Sequence, residues 1–405
     1  MTHKHHGINK KIYSLPALFL LLVSLSLLTM NCADDPTSLG LKFLPSNETT
    51  GVRIFDSYTD TMLITSRNVK YRVNTAISTS LIVGQTLNYN SKALIRFTSL
   101  PDDKDSATVN SAVLKLKYRN YYFPTASSDS LAQISFDIYK INQNLNFSTV
   151  TMDSVSSSTF GTVSQGNYTG TPTADSQEVD INLNTQLVKD WLEYAANSSY
   201  SAPNYGIVLS PNASSAVLKA FYSSRAGADV NPEITVIYTK YGNTDTLIHD
   251  LSETLFLTDG NISLVPGSFI MQAGISYNQI MTFDMSHVPS NITINDVQLS
   301  LTLDAANSKL TGQTINGIAA AYITDTAGVK YDLFSFTATP ANNVYTFRLV
   351  GPFTRWYRGE TNYGIFIVPS GQYSTLDLFA FYDVNAADQN KRPRVIIKYT
   401  PRITP

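Results

Sequence analysis

The chain repeats itself. Trp191, Asn204-Tyr205-Gly206-Ile207, Ala220-Phe221-Tyr222, Pro232 and Tyr238 return in the same order as Trp356, Asn362-Tyr363-Gly364-Ile365, Ala380-Phe381-Tyr382, Pro393 and Tyr399. A repeat at this separation means one fold built twice, so the shared residues are expected to serve that fold. Function has room in what differs. The front halves also match: Phe269 to Pro289 lies over Leu81 to Pro101, with Tyr277-Asn278 on Tyr89-Asn90, and Ile294 to Leu303 lies over Val109 to Tyr118. The first copy carries extra residues in its middle. Residues 151–175, rich in Ser, Thr and Gly, are the place expected for them, as an exposed flexible loop.

Within each copy the apolar residues recur with period two. Leu114, Leu116 and Tyr118 alternate with Val113, Lys115 and Lys117, and Ile134, Phe136 and Ile138 alternate with Ser135, Asp137 and Tyr139. Short runs of this kind, separated by Gly, Pro and Asn, are half-buried strands. One helix is expected, over Thr185 to Ala196, where Leu187, Val188, Trp191, Leu192 and Ala195 fall at helical spacing. The pattern predicts an all-β chain of two tandem antiparallel β-sandwich domains, jelly-roll-like with about eight strands each. An immunoglobulin-like sandwich is the alternative; each copy is long for it and the Cys-Trp-Cys spacing is missing. The expected boundaries are residues 51–240 for the first domain and 241–405 for the second.

Residues 1–31 read as a signal peptide: Lys4, Lys10 and Lys11 precede a short apolar run from Leu15 to Leu28. Cys32, the only cysteine, comes at once after it and is the expected lipidation site of an exported lipoprotein, although Thr29 and Asn31 depart from the usual motif. Residues 32–50 form the expected lipidated tether. Acyl chains on Cys32 would hold the protein at a membrane, adding about 0.8 kcal/mol per buried CH₂. The expected location is the cell envelope, at the outer membrane or cell surface. One cysteine allows no disulfide within the chain. The whole chain carries a net charge of −2, and the signal takes three of its Lys and no acid, so the remainder of the chain is more acidic still. That balance, with no basic patch, argues against nucleic acid as a partner.

Several segments resemble a known family. Ala93 to Phe97, Leu100-Pro101 and Val109 to Leu116 are similar to the front of DNRLRE-type domains, which include carbohydrate-binding module family 96. Trp191, Asn204 to Ile207, Phe221-Tyr222-Ser223-Ser224-Arg225, Pro232 and Ile234 to Tyr238 are similar to the back of such a domain. The resemblance covers most of residues 51–240 and extends over 245–400. It implies β-sandwich modules that bind polysaccharide. The family's Arg-Glu pair after the Phe-Tyr-Ser segment is missing: Ala226 comes after Arg225, and the second copy has Asp383-Val384-Asn385.

The sequence presents no catalytic constellation. His249 and His287 stand apart and neither belongs to a nucleophile or zinc motif. Asp102-Asp103-Lys104-Asp105-Ser106 reads as a solvated acidic turn rather than a calcium loop, having Lys at its centre and no Gly-x₅-Glu remainder. No cofactor or metal is expected. Sugars pack their C–H faces on rings and need hydrogen bonds for their hydroxyls. Trp191 and Trp356, being shared, are expected in the cores, and so are Tyr205 and Tyr363. The unshared run Tyr118-Arg119-Asn120-Tyr121-Tyr122-Phe123 is the expected ligand face, with Tyr118, Arg119, Tyr121, Tyr122 and, from the family pattern, Arg225 as its contacts. Trp356-Tyr357-Arg358-Gly359-Glu360 is a second candidate. The expected function is a non-catalytic, lipid-anchored envelope protein that binds polysaccharide. The alternative is a structural part of a surface complex that binds other envelope proteins. A two-carboxylate glycosidase ranks third.

Overall fold

The computed structural model describes residues 51–402 except 87, 125–126, 312–316, 326–329, 332–335 and 339. The signal peptide, the tether and Cys32 lie outside the described residues. Two compact units result: Ile54–Ser290 with Ile294–Tyr399, and a small one to which residues 51–53, 291–293 and 400–402 belong. In the small unit, Arg402 donates its backbone N–H to Asn291 O at 2.8 Å and its Nε to Thr293 Oγ1 at 3.2 Å.

The large unit is nearly all antiparallel β-structure. Its strands begin with β1 (Arg53–Asp56) and β2 (Ile64–Lys70). Next come β3 (Ser80–Gln85), β4 (Tyr89–Phe97), β5 (Thr108–Phe123), β6 (Ile134–Lys140), β7 (Gly166–Gly170) and β8 (Glu178–Asn182). Helix α1 (Thr185–Ala196) precedes β9 (Ile207–Pro211), β10 (Leu218–Tyr222), β11 (Glu233–Lys240), β12 (Asn243–His249) and β13 (Ser252–Gly260). The second copy supplies β14 (Ser268–Gln272), β15 (Tyr277–Phe283), β16 (Ile292–Thr302), β17 (Ile318–Asp325), β18 (Lys330–Tyr331), β19 (Phe336–Ala338), β20 (Pro340–Ala341) and β21 (Val344–Arg348). Helix α2 (Val350–Tyr357), β22 (Ile365–Pro369), β23 (Leu378–Tyr382) and β24 (Arg394–Pro401) complete it.

The first sandwich is one curled sheet in the order β12-β11-β5-β10-β3-β4-β9-β6-β7, with β8 on β5 and β13 on β4. Strand β5 turns the corner: its first half pairs β11 and β8, its second half β10. The enclosed core holds Leu81, Ile95, Phe97, Leu114, Leu116, Tyr118, Phe136, Ile207, Phe221 and Ile234, with Trp191 and Leu187 from α1. Each such side chain contributes roughly 1.5–3 kcal/mol on full burial. In the second sandwich, β18-β17-β22-β15-β14-β23 faces β1-β24-β16-β21-β20.

The two sandwiches exchange strands. Strand β13 comes after the first copy in sequence and pairs along the whole of β4, from Ser252 opposite Phe97 to Gly260 opposite Tyr89. Strand β2 lies ahead of the repeated segment that begins at Leu81 and pairs β15 instead, from Ile64 opposite Phe283 to Lys70 opposite Tyr277. Thr98 N–H reaches Leu251 O and Asp284 N–H reaches Leu63 O, both at 2.9 Å, so β2 and β13 hold equivalent places. Strands β1 and β2 thus stand to the second sandwich as β12 and β13 stand to the first.

The repeated motif is a structural lock. Asn204 Nδ2 donates to Phe97 O at 2.9 Å while its Oδ1 accepts the Gly206 N–H at 3.1 Å. Asn362 does the same with Phe283 O at 2.6 Å and Gly364 at 3.0 Å. Gly206 and Gly364 have φ of +95° and +87°, and a Cβ would lie 2.5 and 2.2 Å from the carbonyls of Ile95 and Met281. Only glycine fits both demands.

Three sequence expectations are corrected. Gly84 pairs Ser91 where Gln272 pairs Tyr277, so Tyr277 stands in the place of Ser91 and not of Tyr89; the hairpin is shorter in the second copy. Residues 151–175 are not a loose loop: they include β7 and two short 3₁₀ turns, and Thr159 and Gln165 are buried. Helix α2 escaped the sequence reading because Gly351-Pro352 open it. Pro is tolerated there, in the first turn, where no intrahelical N–H bond is lost. Its buried face is Pro352, Phe353 and Trp356.

Candidate functional site

The expected ligand face is largely core. Tyr118 is fully buried, edge-to-face with Phe221 at 6.3 Å, and donates its hydroxyl to Tyr121 O at 3.1 Å. Burial raises its phenol pKa. Tyr121 is buried too, and burial pushes its phenol well above the ordinary range. It lies with Phe123, Tyr89, Ile82, Phe256, Ile275 and Leu376 in an apolar cluster shared by the two sandwiches. Neither Tyr118 nor Tyr121 has a ring face to offer a ligand. The cause is a bulge: Phe221 pairs Tyr118 but Ala220 pairs Tyr121, and Asn120 takes φ of +49°. The alternation of β5 is reset there, sending Tyr118 into the first core and Tyr121 into the shared cluster.

The other expected contacts are separate from one another. Tyr122 is half-buried against the first core. Arg119 donates from Nη1 to Thr79 Oγ1 at 2.6 Å and to Ser80 Oγ, with Tyr222 beneath it at 5.8 Å. Burial lowers the Arg119 pKa. Tyr222 in turn donates to the Asp175 carboxylate at 3.0 Å. Arg225 is exposed, its backbone N–H bonded to Ser223 Oγ at 3.1 Å. Trp356 stacks on Phe283 at 5.8 Å and is 5% exposed. The Asp102–Ser106 turn is tied into the surface, with Asp105 on Lys240 at 2.9 Å and Ser106 N–H on Glu193 at 2.9 Å. His249 Nε2 donates to Thr98 O at 2.7 Å. Among the described residues no group of three or more His, Cys, Asp or Glu gathers in a metal-binding arrangement.

A cleft that the sequence reading missed occurs at the same place in both sandwiches. In the first it encloses about 530 Å³ between the end of β4, the last turn of α1 and the start of β9. Its counterpart in the second encloses about 450 Å³. Both share Phe97 or Phe283, Trp191 or Trp356, and Asn204 or Asn362, all of which the fold requires.

The remaining lining differs. Arg96 sits directly opposite Glu253 in the β4–β13 ladder, and its Nε donates to Glu253 Oε2 at 2.8 Å, with Nη2 on the same oxygen. Arg96 Nη1 reaches Asn144 Oδ1 at 3.2 Å and Leu145 O at 3.3 Å, and the guanidinium lies 4.6 Å from the Phe147 ring centre. The second sandwich has Thr282 opposite Thr65 here, hydroxyl to hydroxyl at 2.5 Å. Two partly exposed rings, Tyr194 and Tyr205, line the first cleft. Tyr205 also packs on the cluster of Leu94 and Val208, as its counterpart Tyr363 packs on Ile280, Phe366 and Val368, but Tyr363 does not line the second cleft.

The first cleft therefore combines two ring surfaces, a fixed and internally neutralised ion pair, and the amide of Asn144. Such a site suits an uncharged ligand with apolar faces and many hydroxyls. Sequence could have found it only by pairing Arg96 with Glu253, which needs the β4–β13 register. No protein-family model matches this chain, and comparison with curated proteins finds no match either.

Proposed function

We propose that this chain is a non-catalytic, lipid-anchored envelope protein whose first sandwich binds polysaccharide in the cleft between β4, α1 and β9. One observation carries the reading. Where the second sandwich has the Thr65–Thr282 pair, the first has Arg96–Glu253 flanked by Tyr194 and Tyr205. Tyr205 is shared with Tyr363, but Arg96, Glu253 and Tyr194 are not, and these three go beyond what the fold needs. Tyr194 and Tyr205 would stack on pyranose faces, while Asn144 and the free oxygen of Glu253 would bond hydroxyls. Glu253 is the single carboxylate among the described residues lining the cleft, and it is engaged by Arg96. A glycosidase of the usual kind needs two facing carboxyl groups, which favours binding over hydrolysis.

The test is binding of the full chain, purified in detergent, to a panel of soluble and insoluble polysaccharides. Tyr194→Ala and Asn144→Ala should each weaken saturable binding at least severalfold while thermal stability holds. Absence of binding to every glycan, or binding untouched by both changes, would reject the reading in favour of a structural role in a surface complex.

A further inference from the structure

The strand exchange creates a pocket that the first sandwich does not have. Strands β12 and β13 are joined by Asp250 and Leu251 alone, but the equivalent β1 and β2 are joined by residues 57–63. This longer connection stands over the β23–β24 loop and encloses about 450 Å³. Its apolar lining is aliphatic: Met62 and Ile64 are buried, Val384 and Pro393 lie opposite, and Leu63 is 63% exposed at the wall.

The one aromatic residue is already engaged. Tyr58 donates its hydroxyl to Arg392 O at 2.6 Å, and the Arg394 guanidinium lies over its ring at 5.1 Å. A flat platform for a sugar is therefore not on offer, whereas flexible Met and branched chains suit an aliphatic side chain.

Among the described residues Arg392 is the one charged residue in the lining; Asp60 and Asp383, in the flanking loops, accept the backbone N–H groups of Asp56 and Asn385. Arg394 is taken by Asp56, and Asp388 by Lys391 at 3.8 Å. Arg392 is held through Nε on Ala386 O at 2.8 Å, which leaves its terminal nitrogens, and it makes no ion pair among the described residues. Around it stand the carboxamides of Asn385, Gln389 and Asn390. Two of these are positioned through their own backbones, Asn385 N–H on Asp383 Oδ1 at 2.6 Å and Asn390 N–H on Asp388 Oδ1 at 3.0 Å. A carboxamide donates and accepts, as a peptide group requires. A guanidinium takes a carboxylate through two parallel bonds.

We propose that this pocket docks the C-terminus of a partner polypeptide ending in an aliphatic residue. The aliphatic side chain fills the space over Met62 and Ile64, the terminal carboxylate meets Arg392, and the last peptide groups bond the carboxamides. The site is independent of the cleft in the first sandwich.

Fluorescence anisotropy with the full chain in detergent tests this, using a labelled pentapeptide ending in Ala-Leu as the free acid and as the amide. The free acid should bind saturably, and amidation should weaken it at least tenfold. Arg392→Gln should cause a similar loss. Because Arg392 also braces its loop, Leu63→Asp at the exposed wall is the second variant, and it should abolish binding with the melting temperature unchanged. No binding of the free acid, equal binding of the amide, or binding retained in Leu63→Asp would overturn the proposal. So would displacement of the peptide by a carboxylated monosaccharide that binds more tightly than it does.

Discussion

The hydroxyl oxygen of Tyr121 accepts the backbone N–H of Leu376 at 2.7 Å, joining the two repeats through a buried bond. Around it Tyr89 donates to Gln272 Oε1 at 3.3 Å, and Gln272 Nε2 donates to Leu376 O at 3.0 Å. The Leu376 peptide is thus satisfied on both sides by side chains, one from each repeat.

Tyr121→Phe keeps the ring and strands the Leu376 N–H. An unsatisfied buried donor costs about 1–3 kcal/mol, so the urea midpoint should fall accordingly. Tyr121→Ala adds a cavity and should cost about 3–5 kcal/mol. A Phe variant with the wild-type midpoint would show that the bond contributes nothing net.

Removing residues 1–71 should damage the far end of the chain. Strand β2 would be gone, and β15 would lose its ladder from Tyr277 to Phe283. Limited proteolysis should then cut within residues 262–402 while 72–260 stays protected. A synthetic peptide of residues 54–71 should restore protection. If the shortened chain resists protease at 262–402 as the full chain does, the exchanged strand does not hold the second sandwich together.

The strands and α1 were legible because each depends on local period: two for Leu114-Leu116-Tyr118, near 3.6 for Leu187 to Ala195. Partner choice was not. Strand β2, Ile-Thr-Ser-Arg-Asn-Val-Lys with only Ile64 buried, carries no period that says whether β4 or β15 lies beside it. The same limit hid the cleft, since Arg96 and Glu253 meet only through a ladder between distant segments. The bulge at Asn120 explains the misread tyrosines. A period-two reading carried through it puts Tyr118 and Tyr122 on one face and leaves Tyr121 outside, where it is in fact covered by the other repeat. The repeat also misled locally, because Tyr-Asn recurs at 89 and 277 in places that are not equivalent.

Gly364→Ala tests the lock. Gly364 has positive φ and a backbone carbonyl in the way of a Cβ, whereas Gly359, at φ of +96°, has nothing within 4 Å. Gly359→Ala should therefore cost only the conformational strain, about 1–2 kcal/mol. Gly364→Ala should cost clearly more, and Gly206→Ala should behave likewise. Equal losses at 359 and 364 would show that the close approach is relieved without cost.

Lys219 gives the first sandwich a pH signature. Its ammonium is buried, donating to Ser130 O at 2.9 Å and Pro172 O at 2.7 Å over the Tyr118 ring at 5.4 Å. In the pairing of β10 with β3 and of β23 with β14, its counterpart is Phe379. Burial lowers its pKa from 10.5 to about 8. Between those values the unfolded chain binds more protons than the folded one, so stability rises with pH from about 8. Above about 10 the trend reverses, because Tyr118 and Tyr121 ionise in the unfolded chain and stay protonated in the folded one. Urea unfolding from pH 7 upward should show a gain on the order of 2 kcal/mol before the reversal. Lys219→Met keeps the packing, removes the titrating group and should flatten the rising limb alone. A rising limb that survives in Lys219→Met would place its origin in another group.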